Sequence, residues 1–416
     1  MGKQLSKCGL RVYVLTPSFP PTDGGQEKHL LELSESLIAA GATVQVFSRR
    51  VNSNFAAAER LGSVPVVRFT PFGEIKGVGL RAAPRLGLLL CKMAWRLLRD
   101  SRKYDIVLVS GFNFMPMSAI VAGALTRKPC VVRPESPLEV SEPLGAESRA
   151  KMGLSDNSMS VRALRGLRRS AARRVTRYVA ISSEIRAGLE RAGVDAGRIV
   201  SIPNGIDILR FGPVSAERKA DLRRALGLPA DGLILVYTGR IAASKGVMTL
   251  IEVWRELAAE FPAAHLAIVG TGQGSFDNCE PALREFVARQ ALSSRVTLTG
   301  SVANVHEYLQ ASDLFVFPSD YEGFSLSILE AMSVGLPMVS TRVGIAAELE
   351  PRGEFALLVP PKDKGAFRDA LRRLLPDGQR RAAMGARAHA AVEAEYSLSA
   401  EARRYLALFD QMTARP

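Results

Sequence analysis

Two carboxylates, Glu322 and Glu330, bracket the stretch Tyr321-Glu322-Gly323-Phe324-Ser325-Leu326-Ser327-Ile328-Leu329-Glu330. The spacing reads as a loop running into a helix, with the first carboxylate at the mouth and the second about one to two turns inside. A helix start leaves backbone N–H groups without intrahelical acceptors and carries partial positive charge, so it suits a phosphate. The amides of Phe324, Ser325 and Leu326 are therefore candidate anion ligands. A carboxylate on each side of a bound diphosphate can hold two sets of sugar hydroxyls. That is a layout for gripping a nucleotide sugar.

Other stretches offer matching chemistry. Gly239-Arg240-Ile241-Ala242-Ala243-Ser244-Lys245-Gly246 follows an apolar run and carries two cations five residues apart across a loop. Arginine offers a fork and lysine a point charge, a pairing suited to a diphosphate; a surface ion pair is the alternative. Pro21-Thr22-Asp23-Gly24-Gly25-Gln26-Glu27 sits between a first strand and a first helix. Its paired glycines let backbone approach a ligand and expose amides, or simply make a tight turn. Gly270-Thr271-Gly272-Gln273-Gly274 looks like a dinucleotide fingerprint but lacks the G-x-G-x-x-G register and an acidic ribose partner ~20 residues on. It reads as a turn that lets a nucleotide lie close. No Asp-x-Asp occurs in the chain, which argues against a sugar-nucleotide site built on a divalent metal. Phosphate charge then falls to Arg240, Lys245 and helix-end amides.

The elements that must position these residues alternate. Strands are expected at Leu10–Leu15, Thr43–Phe47, Val64–Phe69, Ile106–Val109, Pro129–Val132, Tyr178–Ile181 and Ile199–Ile202, with helices such as Glu27–Ala40 and Ser182–Ala192 between them. The pattern restarts at Leu233–Thr238, His265–Val269, Val296–Thr299, Leu314–Pro318, Met338–Ser340 and Ala356–Val359. Alternation of this kind means parallel sheets wrapped by helices, and two runs of it mean two Rossmann-like α/β domains. The hinge is expected near Pro203-Asn204-Gly205-Ile206-Asp207. The expected domains are residues 1–205, residues 206–393, and a terminal helical segment, 394–416, that returns to the first domain.

Composition bounds the class. The chain has 416 residues, 47% hydrophobic and 23% charged, a globular balance. Cys8, Cys91, Cys130 and Cys279 form no CxxC pair, and the four histidines show no metal-ligand spacing. Reduced thiols and a cytoplasmic location are expected. No signal peptide is read at the start, because Cys8 to Leu15 reads as a strand. Ile106 to Leu125 carries no charge, but Ser110-Gly111 and Met115-Pro116 break it into a strand and a small-residue helix rather than a membrane span. Net charge is +14. Between Arg149 and Arg177 nine Lys/Arg face one acid, and Lys92-Met93-Ala94-Trp95-Arg96-Leu97-Leu98-Arg99 is basic and amphipathic. Such patches suit an anionic membrane surface or a solvated helix face. Nucleic acid is not expected as a partner, since no binding module accompanies the charge.

Together these residues resemble glycosyltransferase family 4, the retaining transferases of GT-B fold that include bacterial mannosyl- and glucosyltransferases of cell-envelope assembly. The likeness covers nearly the whole chain. It rests on Gly24-Gly25, Ile202-Pro203-Asn204-Gly205-Ile206-Asp207, Gly239-Arg240 with Lys245-Gly246, Gly270-Thr271-Gly272, and Glu322 to Glu330 followed by Ala331-Met332-Ser333-Val334-Gly335-Leu336-Pro337. The two glutamates fit the family's E-x7-E motif. The resemblance implies two domains facing across a cleft, with Glu322 beside the donor sugar and Glu330 on the ribose. Arg240 and Lys245 would stabilise the leaving diphosphate. The amides of Gly25 and of Phe324 to Leu326 would share that charge, with Gly24 and Gly270 close by and Val302 near the base. Where members often carry a histidine that contacts the sugar, this chain has Arg133-Pro134-Glu135-Ser136. That leaves Arg133 and Glu135, with Asn204, as candidate sugar or acceptor contacts. The family's Gly-Gly is reduced to Gly344 alone.

The implied reaction moves a hexose from a nucleoside diphosphate sugar, uridine or guanosine, to an acceptor hydroxyl. It keeps the anomeric configuration and uses no metal and no further cofactor. The acceptor would be a saccharide or a lipid-linked molecule of cell-envelope polysaccharide, lipopolysaccharide or glycolipid synthesis, met peripherally at the inner face of the membrane. A sugar-nucleotide epimerase of the same fold and a non-catalytic GT-B subunit are the rival readings. Nucleotide-sugar conversion without acceptor marks the first, and failure to bind any nucleoside diphosphate marks the second.

Overall fold

The computed structural model describes residues 9–22, 24–70, 83–111, 115–136, 172–349 and 354–414, together with residues 139, 162, 166 and 170. The chain divides into two compact units, residues 1–205 with 398–416, and residues 206–397. Most residues of the basic run between Arg149 and Arg177, five of its nine Lys/Arg included, lie outside the described residues.

The first unit holds β1 (Arg11–Thr16), β2 (Thr43–Arg49), β3 (Ala58–Leu61), β4 (Val64–Phe69), β5 (Ile106–Ser110), β6 (Cys130–Arg133), β7 (Arg177–Ala180) and β8 (Ile199–Ser201). They form one sheet in the order β3-β4-β2-β1-β5-β6-β7-β8. Every pairing is parallel except β3 with β4. The sequence pattern does not announce β3. Its four residues, Ala-Glu-Arg-Leu, are poor strand formers with no buried member, and the Gly62-Ser63 turn folds them onto the edge of β4. The central strands are mostly apolar; all five residues of β5 are buried, as a strand covered on both faces demands. Helices α1 (Gly25–Ala39), α2 (Ala83–Arg99), α3 (Met115–Thr126) and α4 (Ser183–Arg191) flank the sheet. The charge-free span read at Ile106–Leu125 is a strand and a helix, and no described helix is long and apolar enough to cross a membrane.

The second unit holds β9 (Ile234–Thr238), β10 (His265–Val269), β11 (Val296–Leu298), β12 (Leu314–Phe317), β13 (Met338–Thr341) and β14 (Ala356–Val359). The order is β11-β10-β9-β12-β13-β14, all parallel. Its helices are α5 (Ala216–Ala225), α6 (Val247–Glu260), α7 (Glu280–Arg289), α8 (Val305–Gln310), α9 (Leu326–Val334), α10 (Gly344–Leu349), α11 (Lys364–Leu374) and α12 (Gly378–Glu395). Strand order reverses between β9 and β12. In an open parallel sheet that reversal opens a crevice at the carboxyl ends of the two strands, and ligands bind there. Beneath it, Tyr237, Phe315 and Phe317 stack in a fully buried layer.

The chain returns to the first unit as α13 (Leu398–Thr413), which packs against α1. Within the first unit it brings a carboxylate into the core: Glu401, 1% exposed, lies 3.0 Å from His29 Nε2 of α1 and accepts from the Gly205 amide at 2.7 Å.

Candidate functional site

In the second unit, the loops that follow β9, β10 and β12 carry the residues singled out in the sequence. Lys245 ends a 3-10 turn after β9, and Glu322 lies in the loop after β12. Lys245 Nζ donates to Glu322 Oε1 at 2.6 Å, with the two side chains only 17% and 11% exposed. The pair thus spans the β9–β12 reversal. Gly246 makes the approach feasible. It sits at φ +67, and a Cβ there would come 2.0 Å from the Pro318 carbonyl oxygen. Only glycine fits such a position without displacing one loop from the other.

Arg240 is exposed, with Nη1 3.5 Å from Ser275 Oγ. Tyr237 donates its hydroxyl to the Arg240 carbonyl at 2.9 Å, anchoring this loop from below. Burial, aided by Glu322, pushes that phenol well above its usual range, so it stays a donor. Gly270, at φ +141, packs on the neighbouring loop: a Cβ would meet the Gly239 carbonyl oxygen at 1.9 Å. Val302 is half-buried just beyond β11.

The helix start differs in one respect from the reading of the sequence. α9 begins at Leu326 with Ser325 as N-cap, so Phe324 belongs to the preceding loop rather than the first turn. Ser325 has φ +76 and ψ 91 and its hydroxyl caps no amide of the helix. A serine held in a sparsely populated conformation marks stored backbone strain, which collects at functional sites. Glu330 lies half-buried one turn further on. The single Gly344 suffices locally, since the Ile345 amide donates to the Phe324 carbonyl at 2.8 Å and ties α10 to this loop.

Two residues that the motif reading passed over hold the loops in place. Asp277 accepts from the Ser244 amide at 3.0 Å and from Ser275 Oγ at 2.8 Å, while its carbonyl accepts from the Ala243 amide at 2.8 Å. The hydrogen bonds from Ser244 bring its carboxyl down to about 2. Glu280 accepts from Thr271 Oγ1 and the Gly272 amide, each at 2.8 Å, and the amide bond holds its carboxyl below the ordinary value. Only the cluster Asp277-Asn278-Cys279-Glu280-Pro281, with proline in the first helical turn of α7, hinted at such caps.

In the first unit the corresponding reversal lies between β1 and β5. Thr16, Ser18, Gln26, Glu27, Ser110, Gly111, Glu135 and Glu139 line a small polar cavity there. Gly24 caps α1 and Gly25 opens it. Glu27, in that first turn, accepts from Ser18 Oγ at 2.6 Å, and Glu135 accepts from Ser110 Oγ at 2.5 Å. Arg133 and Asn204 are placed differently from Glu135. Arg133 is 1% exposed; its Nη2 donates to Asn204 Oδ1 at 2.7 Å and lies 3.2 Å from His29 Nδ1, and its Nη1 is 3.4 Å from Glu135 Oε1. Arg133 therefore stands behind the cavity and braces Glu135. Burial pushes the Glu401 carboxyl up, but His29, Arg133 and the Gly205 amide outweigh it and hold it below the usual range. Among the described residues no group of three His, Cys, Asp or Glu side chains is placed to hold a metal ion.

The family profile described as glycosyltransferase family 4 matches residues 23–210, and that described as glycosyl transferases group 1 matches residues 232–377. A lipopolysaccharide core biosynthesis mannosyltransferase, LpsB, of Rhizobium meliloti (strain 1021) is 31% identical over 64% of this chain and 74% of its own. Among solved structures, sucrose-phosphate synthase from Thermosynechococcus elongatus superposes with a TM-score of 0.77 at 24% identity, over 97% of this chain and 99% of its own. Anabaena Alr3699/HepE in complex with UDP and glucose gives a TM-score of 0.74 at 20% identity, over 96% and 99%. At these identities the likeness to the solved structures speaks for the fold.

Proposed function

This chain is a GT-B glycosyltransferase of family 4, and on that premise we propose that it moves a hexose from a nucleoside diphosphate sugar to an acceptor hydroxyl with retention of the anomeric configuration. One observation carries the donor assignment: Lys245 meets Glu322 across the strand-order reversal of the second unit, beside the uncapped start of α9. A diphosphate laid there meets an ammonium and free amides, and its sugar meets a carboxylate that accepts hydroxyl protons. Glu330, further into the helix, is assigned to the ribose, and Val302 to the base. The HepE structure, whose description records UDP and glucose, supports a nucleoside diphosphate sugar as the donor.

In the reaction the bond from the anomeric carbon to the phosphate oxygen breaks, and a bond to the acceptor oxygen forms on the same face. Negative charge grows on the departing diphosphate, where Lys245 and Arg240 stabilise it. The acceptor's proton passes to the departing phosphate oxygen. The site needs no metal in this scheme, because the cations and amides supply the charge and the sequence has no Asp-x-Asp. The acceptor, a saccharide or lipid-linked sugar of envelope synthesis, is assigned to the polar cavity of the first unit, where Glu27 and Glu135 accept from hydroxyls. The LpsB match supports that class of acceptor. We place the enzyme peripherally at the inner face of the membrane.

Thermal-shift measurements with nucleoside diphosphates and their sugars test the donor. A ligand that binds only the folded state raises Tm by mass action, about 2.7 kcal/mol at a hundredfold excess over Kd. No shift with any nucleoside diphosphate overturns the proposal, and conversion of the donor without acceptor replaces transfer with epimerisation.

A further inference from the structure

Helix α2 has two apolar faces, and only one of them is spent on the core. Leu89, Met93 and Leu97, spaced by four, are buried against the first unit. A second stripe, Leu88, Lys92, Trp95 and Arg99, falls on another face, since residues three and four apart share one side of a helix. On that stripe Leu88 is 41% and Trp95 59% exposed, and on the adjacent α3 Val121 is 45% and Leu125 69% exposed. Of seven large exposed hydrophobic side chains among the described residues, four thus lie on two neighbouring helices, which makes a patch rather than scatter.

The charge around the patch is one-sided. Residues 83–128 hold eight Lys or Arg against two acids, Asp100 and Asp105. Both acids are answered locally: Asp100 is buried between Arg96 and Lys103, and Asp105 is held by Arg11. The Arg99 guanidinium lies over the Trp95 ring, 5.4 Å from its centroid. Tryptophan and leucine ringed by cations match the interfacial belt of a bilayer, where an amphipathic ring sits at headgroup depth and cations meet lipid phosphate.

We propose that the α2–α3 face docks the first unit on an anionic lipid bilayer, with Trp95 and Leu125 inserted at the headgroup boundary and the surrounding Lys and Arg on lipid phosphates. This deepens the peripheral placement proposed above by naming the surface. It rests on exposure and charge alone, so its test does not involve sugar transfer. A nucleic acid would need several aromatic rings lining a groove, and among the described residues of these two helices the one exposed aromatic is Trp95. An acidic protein partner would use the same cations but would not need the exposed leucines inserted in lipid.

The chain carries two tryptophans, Trp95, exposed, and Trp254, fully buried. Trp95 is therefore a native reporter. With the full-length protein and vesicles of phosphatidylglycerol mixed with phosphatidylcholine, Trp95 emission shifts to the blue and is quenched by brominated acyl chains. Phosphatidylcholine vesicles alone give neither change. Trp95→Ser with Leu125→Ser lowers the sedimented fraction at least about tenfold, because both inserted side chains are lost. Trp254 emission in that variant reports the intact fold. Lys92→Gln with Arg99→Gln weakens binding and flattens its salt dependence. The proposal is overturned if Trp95 emission ignores the vesicles, if the serine variant sediments like the parent, or if both vesicle types bind equally. Loss of docking with nucleotide binding intact leaves the donor assignment standing, and the converse leaves the docking face standing.

Discussion

Replacing Lys245 by alanine removes the ammonium paired with Glu322 and, in the proposed reaction, one of the two cations on the departing diphosphate. Two costs follow and can be separated. The first falls on folding. Glu322 is left as a carboxylate 11% exposed with its partner gone, and an orphaned, mostly desolvated group costs about 1–3 kcal/mol. For a domain of roughly this size that lowers Tm by about 2–4 °C per kcal/mol. The second falls on the transition state. Losing one group that stabilises developing charge costs ~2.7–4 kcal/mol, or about 10²–10³ in rate. The companion variant Glu322→Gln keeps the shape of the partner and removes its charge. The double variant should regain most of the lost Tm while staying at least as slow as the lysine variant, since the folding cost belongs to the pair, whereas the ammonium's hold on the diphosphate and the carboxylate's hold on the sugar are both lost. The assay is steady-state kcat/KM with the best donor from the thermal screen, set beside Tm and the Kd of the free nucleoside diphosphate. The reasoning fails if Lys245→Ala turns over within about threefold of the parent, or if the double variant recovers rate along with stability.

The remaining expectations concern the scaffold. Gly246→Ala should destabilise the second unit by at least ~1–2 kcal/mol from the left-handed backbone alone, with more from the Pro318 carbonyl; chemical denaturation reads it, and a neutral result means the loops part freely. Glu280→Ala frees the Thr271 hydroxyl and Gly272 amide, costing about 1 kcal/mol and weakening nucleotide binding with little effect on kcat; calorimetry separates the two. Glu401→Ala leaves His29 and the Gly205 amide buried without their carboxylate, a loss of ~3–5 kcal/mol for a broken buried pair, and the first unit should melt earlier. Because the folded Glu401 carboxyl lies below its ordinary value of 4.5, the unfolded chain binds the extra proton. Its contribution is therefore complete above pH 4.5 and lost as pH falls through the lower, folded value. Acid unfolding of the parent should show that loss, and Glu401→Gln should remove it.

The architecture was readable because each domain announces itself through buried parallel strands, near-continuous apolar runs separated by helical periods. His265–Val269 and Ala356–Val359 fall where the pattern puts them. β3 was not readable, since its pairing is earned by the turn at Gly62-Ser63 and by β4, not by its own residues. In the site, the meeting of Lys245 and Glu322 was foreshadowed by loops at two strand ends, whereas the Ser325 dihedrals were not, because serine is an ordinary N-cap until its φ is seen. Asp277 and Glu280 escaped because a carboxylate that fixes backbone amides leaves no spacing signature. Arg133 looked like a ligand contact because its neighbours in sequence, Pro134 and Glu135, sit at a strand end. Its partners His29, Asn204 and Glu401 come from three distant stretches, and no local pattern reports them.

The contact between Glu401 and His29 joins residues 372 positions apart. A ribosome makes the sheet of the first unit before the second unit, and α13 after it. Until that helix emerges, the Arg133 guanidinium and the Gly205 amide have no carboxylate of Glu401 to answer them, and the apolar side of α1 has no cover from α13. The first unit can collapse as it is synthesised, yet it can close only after the whole second unit has left the tunnel. A chain cut short before Leu398 would thus keep every strand of the second unit while its first unit stays open.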